Sequence, residues 1–358
     1  MVTAQHSAEV PARARFADAD ALLAPYLRDA LEALAGQTPL MAGMVRYHLG
    51  ELNADLSPVT DGRVDRGKRV RPAVAVLCAA AVGGDPTVAG PVAAAIEMLH
   101  NFTLIHDDVQ DESPTRRYRP TVWRLWGVGQ AINAGDALFA AAHLPLYRLA
   151  ELGVAPALVL SLVEAFDRMT IAIVAGQTRD LSFEGRRDVT PAAYLEMIDA
   201  KTAAIVRYAA WAGALLGGAS ETTAERFGEF GAALGVGFQV QDDLLGIWGA
   251  TETTGKAAAD DLRRRKQSLP ILLLREQADT ETRTELDAIY AAEAIDDASV
   301  TRLLALLDAA KIRVEVEARV AALHDEARTA LLTAAQAGRN PARDRLLALV
   351  AGLAARTG

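Results

Sequence analysis

Apolar residues recur along this chain at three- and four-residue intervals, the spacing that lines one face of an α-helix. Ala21-Leu22-Leu23 leads to Tyr26-Leu27 and Leu31, and Leu303-Leu304 leads to Leu306-Leu307. Strict alternation of β-branched residues is scarce, and no Asn-Gly pair marks a hairpin. Breakers separate the periodic stretches: Gly36, Gly50, Pro58 and Gly62, Gly83 to Pro86, Gly153 to Pro156, Gly217-Gly218, Gly249 to Gly255, and Gly338 to Pro341. Asn340-Pro341 reads as an N-cap with proline at the first helical position, opening the last helix. The pattern predicts an all-α bundle of about ten or more helices. Residues 1–20 contain no continuous apolar run of the signal-peptide kind and read as a flexible leader; residues 21–358 read as a single helical domain. Residues 72–96 are apolar with one charge, Asp85. The Gly83-Gly84-Asp85-Pro86 turn signal breaks them into two pieces, each shorter than the roughly 20 residues of a spanning helix, so two buried helices and no membrane span are expected.

Composition narrows the classes. The 358 residues are 51% hydrophobic and 23% charged, which supports a sizeable core and excludes a mostly disordered chain. The lone cysteine, Cys78, excludes an intrachain disulfide and a Cys-based zinc site, and suits a reducing, cytoplasmic compartment. A net charge of −9 disfavours a generic nucleic-acid binder.

Two acidic clusters carry the candidate chemistry. Residues 105–112 read Ile-His-Asp-Asp-Val-Gln-Asp-Glu and follow the helical stretch Ala94 to His100. If the helix continues, Asp107 and Asp111 share one face, with Asp108 about 100° away and His100 near the same side. Taken alone this reads equally as an acidic helix end in water. Three close carboxylates repel one another unless a cation is present, and hard oxygens suit Mg²⁺, which shares its shell with waters and substrate phosphates. The second cluster, Gln239-Val240-Gln241-Asp242-Asp243-Leu244-Leu245-Gly246, lies on another apolar stretch. Paired aspartates in apolar surroundings call for a cation or a basic partner. Two such helices facing each other would put a charged rim on an apolar cavity.

Cations concentrate nearby in sequence. Residues 63–71 hold five basic residues, Arg116-Arg117-Tyr118-Arg119 follows the first cluster, and Arg263-Arg264-Arg265-Lys266 follows the second. Guanidinium forks and ammonium groups suit phosphate oxygens; for Arg263 to Arg265 a solvated face or inter-helix ion pairs is the competing reading. Carboxylates for Mg²⁺, cations for phosphate and an apolar interior together point to a diphosphate ester with a hydrocarbon tail. Neither a Walker loop nor a G-x-G-x-x-G turn is present.

In these segments the chain resembles the trans-isoprenyl diphosphate synthases of the polyprenyl synthetase family. The resemblance runs from about residue 60 to 275 through Gly67-Lys68-Arg69-Val70-Arg71-Pro72, Glu97 to His100, Asp107 to Asp111 with Arg116-Arg117, Gly176-Gln177 with Asp180, Lys201-Thr202, Phe238-Gln239 with Asp242-Asp243, and Gly255-Lys256 through Asp261-Leu262 to Lys266. It implies an all-α isoprenoid-synthase fold around a central apolar cavity, working as a homodimer. It implies that Asp107, Asp111 and Asp242, supported by Asp108 and Asp243, hold three Mg²⁺ ions on an allylic diphosphate. Arg116, Lys201, Gln239 and Lys256 would contact that diphosphate, and Lys266 would also bind substrate. Lys68, Arg71, His100 and Arg117 would bind isopentenyl diphosphate. Thr202 and Gln177 would stabilise the cationic intermediate, with Asp180 anchoring the polar network. Phe102 and Thr103, just before the first cluster, would set product length, a bulky residue followed by a small one resembling synthases that stop at C20, with C15 next.

Gly246 stands where the family usually has a third aspartate, and Tyr118, Ala257 and Ala259 replace usual glycine or proline positions. Two other readings stay open. A terpene cyclase would carry Ser and Glu where this chain has Gly246 and Ala250, and would not need the isopentenyl site. A non-catalytic partner of a synthase would be expected to lose metal carboxylates, whereas Asp107, Asp108 and Asp111 are all present.

Overall fold

The computed structural model describes residues 17–60, 67–249, 259–335 and 337–354. In chain order the helices are α1 (Ala17–Ala35), α2 (Pro39–His48), α3 (Val70–Ala81), α4 (Gly90–Gln110), α5 (Val122–Trp126), α6 (Val128–Ala141), α7 (Leu144–Tyr147), α8 (Pro156–Phe183), α9 (Pro191–Ile198), α10 (Ala204–Leu216) and α11 (Glu221–Trp248). They continue as α12 (Asp260–Arg263), α13 (Leu269–Gln277), α14 (Thr280–Ala291), α15 (Asp297–Ala309), α16 (Ile312–Ala334) and α17 (Pro341–Ala354). The all-α expectation holds. Helix α1 begins at Ala17, with Asp18 and Asp20 in its first turn where acids favour a helix N-terminus, so the last residues of the expected leader are helical. Residues 1–16 lie outside the described residues.

The helices form two compact units. The first runs to Glu164 and includes Ala212–Ala219. Its centre is α4, against which α1, α3, α6 and α7 pack. The stretch Val92 to Leu99 is apolar on every side except Glu97 and is buried throughout, as a central helix requires. The expected break is present: Gly83 takes φ 88°, and Asp85 Oδ1 accepts from Thr87 N at 2.9 Å to cap the short turn Pro86–Ala89. The second piece is longer than expected, because α4 continues through the acidic cluster to Gln110. Pro86–Gln110 is long and apolar enough to cross a membrane by length and composition, yet 72% of its most apolar window is buried inside the protein. It packs as a core helix.

The second unit comprises Ala165–Trp211 and the chain from Ser220 onward. Helix α11 lies along α16 and also meets α9, α12 and α13. Its core includes Leu262, Leu269, Ile271, Leu273, Leu303 and Val316. Side-chain caps fix several helix starts, among them Ser220 accepting from Thr223 N and Asp296 from Ser299 N. Asn340 Oδ1 accepts from Arg343 N at 3.0 Å ahead of Pro341, as the sequence predicts for α17. The competing reading of the basic run is also realised, since Arg263 pairs with Asp297 at 2.6 Å.

A two-stranded hairpin, β1 (Thr115–Arg116) and β2 (Arg119–Pro120), was not expected. Its turn residues Arg117 and Tyr118 both take positive φ, 51° and 61°. That is the primed-turn geometry usually built from Asn and Gly, so no local composition announces it. Tyr118 is 85% exposed and its ring gains little from packing. Tyr118→Gly is therefore expected to stabilise the protein by about 0.5–1 kcal/mol, the left-handed strain outweighing the entropy cost of glycine. A thermal melt reads this as a higher midpoint; an unchanged or lower one would mean the turn holds tyrosine without strain.

Candidate active site

Helix α4 delivers the first acidic cluster from its last turn. Asp111 is the C-cap, and its N–H donates to Asp107 O at 2.8 Å. The helix thus lasts long enough to put Asp107 and Asp111 on one face, as the spacing predicts. Asp107 is half-buried and Asp111 exposed. Asp108 turns inward and is 2% exposed. Arg116, on β1, donates from Nε to Asp108 Oδ1 at 2.8 Å, and its Nη2 lies at 2.8 Å from the same oxygen. Burial raises the Asp108 carboxyl above its usual range, against the pull of Arg116. The hairpin is tied to the helix end, since Trp123 Nε1 and Thr121 Oγ1 both donate to Ser113 O.

Beside this cluster lies a small cleft lined in part by Tyr47, His48, Asp108, Arg116, Arg117 and Arg119. Arg119 is structural: it stacks 4.0 Å over the Tyr47 ring and donates to Tyr47 O and Leu52 O. Arg71 Nη1 lies 3.2 Å from His100 Nε2. Because arginine can only donate, that nitrogen accepts, and His100 is neutral with its proton on Nδ1. Burial, then Arg71 and Arg117, push His100 well below its ordinary pKa. His48 is held at about 3 by burial and then by Arg117 and Arg116. Sequence reasoning missed His48, because nothing in Arg46-Tyr47-His48 marks it as facing arginines far along the chain. Lys68 is exposed. Between Lys68 and Arg71, Arg69 takes φ 48° and lies 3.4 Å from Asp20 and 3.7 Å from the buried Glu97. Asn101 Nδ2 donates to Glu97 Oε1 at 3.0 Å and to Glu97 O at 2.8 Å. A buried carboxylate and a left-handed arginine thus fix the turn that carries the two expected phosphate contacts.

Phe102 meets Phe139 of α6 at 5.3 Å and His106, one turn on along α4, at 4.8 Å between centroids. Thr103 Oγ1 donates back to His100 O at 2.8 Å.

In the second unit, Lys201 and Thr202 lie in a π-helical turn, Asp199–Ala203, between α9 and α10. Such wide turns occur often at functional sites. The turn approaches α8 at Gly176, where a Cβ would lie 2.5 Å from Lys201 N. Only glycine permits that approach. Lys201 Nζ donates to Asp180 Oδ2 at 2.6 Å. Thr202 Oγ1 donates to Gln239 Oε1 at 3.2 Å, and Gln239 Nε2 to Asp243 Oδ1 at 3.2 Å. Asp243 is 0% exposed. It also accepts from Tyr194 O–H at 2.5 Å and Leu269 N at 3.3 Å, with Lys266 Nζ at 3.4 Å. Lys266 lies 3.6 Å from Asp261 as well. Burial opposes its charge, but Asp243, Asp261 and Asp180 win and raise its pKa. The basic partner that buried aspartates require is therefore Lys266. Asp242 and Gln177 are half-buried, and Lys256 lies outside the described residues.

Among the described residues, no group of three or more His, Cys, Asp or Glu is preassembled around a metal position. The donor set nevertheless fits Mg²⁺. Asp107 and Asp111 offer hard oxygens on one face, and the buried Asp108 Oδ2 has no hydrogen-bond partner. An ion that keeps waters and shares its shell with substrate phosphates needs no complete protein cage.

An all-helical scaffold with carboxylates suited to Mg²⁺ beside cations suited to phosphate defines a trans-prenyltransferase. Residues 56–307 match the family model described as Polyprenyl synthetase, and the chain belongs to that family. It is 41% identical over 317 residues to a geranylgeranyl diphosphate synthase of Mycobacterium tuberculosis, covering 85% of this chain and 87% of the relative. A (2E,6E)-farnesyl diphosphate synthase of Mycobacterium bovis is 42% identical over 250 residues, 70% of this chain and 67% of the relative. The crystal structure of a polyprenyl synthetase from Streptomyces coelicolor A3(2) superposes with a TM-score of 0.84 at 36% identity, covering 95% of this chain and 98% of that one.

Proposed function

We propose that this enzyme condenses isopentenyl diphosphate with an allylic diphosphate, giving a short-chain all-trans prenyl diphosphate and pyrophosphate, with the C20 product favoured over C15. The observation that carries the reading is the cluster of Arg71, His100 and Arg117 in the same unit as Asp107 and Asp111. It is a second phosphate-suited site, for a diphosphate that does not ionise, and a cyclase has no use for it.

The allylic C1–O bond breaks and both electrons leave with pyrophosphate. The π-bond of isopentenyl diphosphate attacks C1, forming the new C–C bond. The adjacent carbon then loses a proton, which the departing pyrophosphate accepts. Mg²⁺, three ions in this reading, supplies electrophilic stabilisation of the leaving group. Asp107, Asp111 and Asp242 would hold it. Arg116, Lys201, Gln239 and Lys256 orient the allylic diphosphate, Lys68, Arg71, His100 and Arg117 hold the other substrate, and Lys266 adds a further cation for substrate. Neutral His100 donates from Nδ1 without adding a charge. Thr202 and Gln177 present oxygen dipoles to the allylic cation, and apolar surroundings exclude the water that would quench it. Residues 21–358 serve this one reaction, in the cytoplasm and as a homodimer. Val128 and Ile132, exposed apolar residues four apart on α6, support pairing.

Incubation with Mg²⁺, isopentenyl diphosphate and each C5 to C15 primer tests the proposal through chromatography of the products. Absence of elongation with every primer overturns it, and a hydrocarbon product points to the cyclase. The geranylgeranyl name of the relative above and the Phe102–Phe139 contact support C20. Phe102→Ala is expected to lengthen the main product by at least one isoprene unit. An unchanged product profile would place the limit elsewhere.

A further inference from the structure

The cleft beside Asp108 has one wall that none of the substrate contacts named above uses, the end of α2. His48 is the last residue of that helix. Arg119 fixes the chain on both sides of it, donating to Tyr47 O at 3.0 Å and to Leu52 O at 2.6 Å. Tyr47 O–H donates back to Pro120 O at 2.8 Å. The hairpin and the helix end are thus tied together, and His48 lines the same cleft as the arginine pair that the hairpin carries. Its Nε2 is buried and has no hydrogen-bond partner. A buried polar atom left so is costly. Arginine has donors to give, yet no guanidinium in the cleft bonds this nitrogen.

The arginine with the strongest pull on His48 is Arg117, ahead of Arg116. Arg117 also lies against the turn that carries Lys68 and Arg71. A Cβ on Gly67 would sit 2.7 Å from Arg117 Nη2 and 3.2 Å from its Cζ, so only glycine permits the approach. One guanidinium therefore joins the end of α2 to the Lys68–Arg71 turn. His100 is near enough to His48 for each to feel the other. We propose that His48 is a further binding residue of the isopentenyl diphosphate site, donating from Nε2 to an oxygen of the diphosphate that stays intact. The inference rests on the proposed function for the identity of that diphosphate.

A diphosphate oxygen only accepts, so the tautomer that serves carries its proton on Nε2. A neutral donor suits the place, because a further cation beside Arg71, Arg116 and Arg117 would repel them in the empty site. Burial and these arginines hold His48 at about 3 and so keep it neutral. His100 meets the same demand the other way round, with Nε2 facing Arg71 and Nδ1 left to donate. Behind His48 stands Asn101, the neighbour that favours its protonated form. Asn101 Nδ2 is committed to Glu97, which faces Arg69 of the same turn. The imidazole thus backs onto the buried network that shapes the phosphate-binding turn.

Calorimetry of isopentenyl diphosphate binding to the full-length protein, beside the KM of each substrate, tests this. His48→Phe keeps a ring and removes the donor. Its affinity for isopentenyl diphosphate is expected to fall about tenfold or more, with KM for that substrate rising in step and KM for the allylic primer staying at the parent value. His48→Gln, whose amide nitrogen reaches the place of the imidazole Nε2, is expected to recover most of the loss, which a purely packing role would not give. His48→Leu provides the same reading if the phenyl ring lowers the melting midpoint. Parental affinity in the variants without a donor, a glutamine variant that binds no tighter than they do, or a loss confined to the allylic primer overturns the inference. If the parent elongates no primer while the calorimetric pattern holds, the proposed reaction falls and the assignment of His48 as a diphosphate contact stands.

Discussion

Asp107→Ala is expected to lower kcat by about three orders of magnitude while circular dichroism and the melting midpoint stay close to those of the parent. Asp107 is half-buried at the last turn of α4, so removing its carboxylate opens no large cavity. The backbone bond from Asp111 N to Asp107 O does not depend on the side chain. On the proposed function, what is lost is a ligand for the ion that stabilises the leaving pyrophosphate, where a single preorganised electrostatic group is commonly worth about 10²–10³ in rate. The half-activating Mg²⁺ concentration should rise in parallel, and Asp111→Ala should behave alike. Asp108→Ala should not, because it strips Arg116 of its 2.8 Å partner and loosens the hairpin. Near-normal turnover in Asp107→Ala, at ordinary Mg²⁺, would refute the metal assignment.

Much of this fold is legible in the sequence because helices announce themselves locally. The three-four spacing, the Asn340-Pro341 start and the Gly83-to-Pro86 break each depend on near neighbours, and each has its counterpart in the structure. The hairpin at 115–120 is not legible, because Arg117 and Tyr118 are not residues that favour positive φ. The length of α4 is not legible from its apolar run alone, since the carboxylates of its last turn count against a buried helix in any local reading.

The candidate site divides in the same way. Residue types and spacing mark Asp107, Asp111 and Asp242, which need only a helix face. They do not separate these from Asp108 and Asp243, which differ only in pointing about 100° around the helix into partners distant in sequence. Arg116 meets Asp108 within one supersecondary unit, but Tyr194, Lys266 and Leu269 reach Asp243 from three separate places in the chain. His48 and the Asp261–Gly246 contact are invisible for the same reason. The contact also bears on the cyclase alternative. A serine at position 246 would meet the Asp261 carboxylate, so the chain departs from the cyclase pattern in its packing as well as in its letters.

Asp243→Ala is expected to cost about 2–5 kcal/mol of stability, from buried donors left without an acceptor at roughly 1–3 kcal/mol each. The carboxylate is 0% exposed and receives Tyr194 O–H, Gln239 Nε2 and Leu269 N–H, with Lys266 Nζ at 3.4 Å. Alanine leaves the phenol and the amide buried without an acceptor, each at a cost of its own, and among the described residues leaves Lys266 with the longer contact to Asp261. Activity should fall as well, through Gln239 and then Thr202, which form one chain of hydrogen bonds with Asp243. The adjacent Asp242→Ala should do the reverse, melting near the parent midpoint while needing far more Mg²⁺. Urea denaturation of the two variants, read beside their Mg²⁺ titrations, separates a carboxylate that holds the unit together from one that holds an ion. If Asp243→Ala unfolds at the parent urea midpoint and its only defect is a raised Mg²⁺ requirement, the structural assignment of Asp243 fails, and both aspartates of the second cluster are metal ligands.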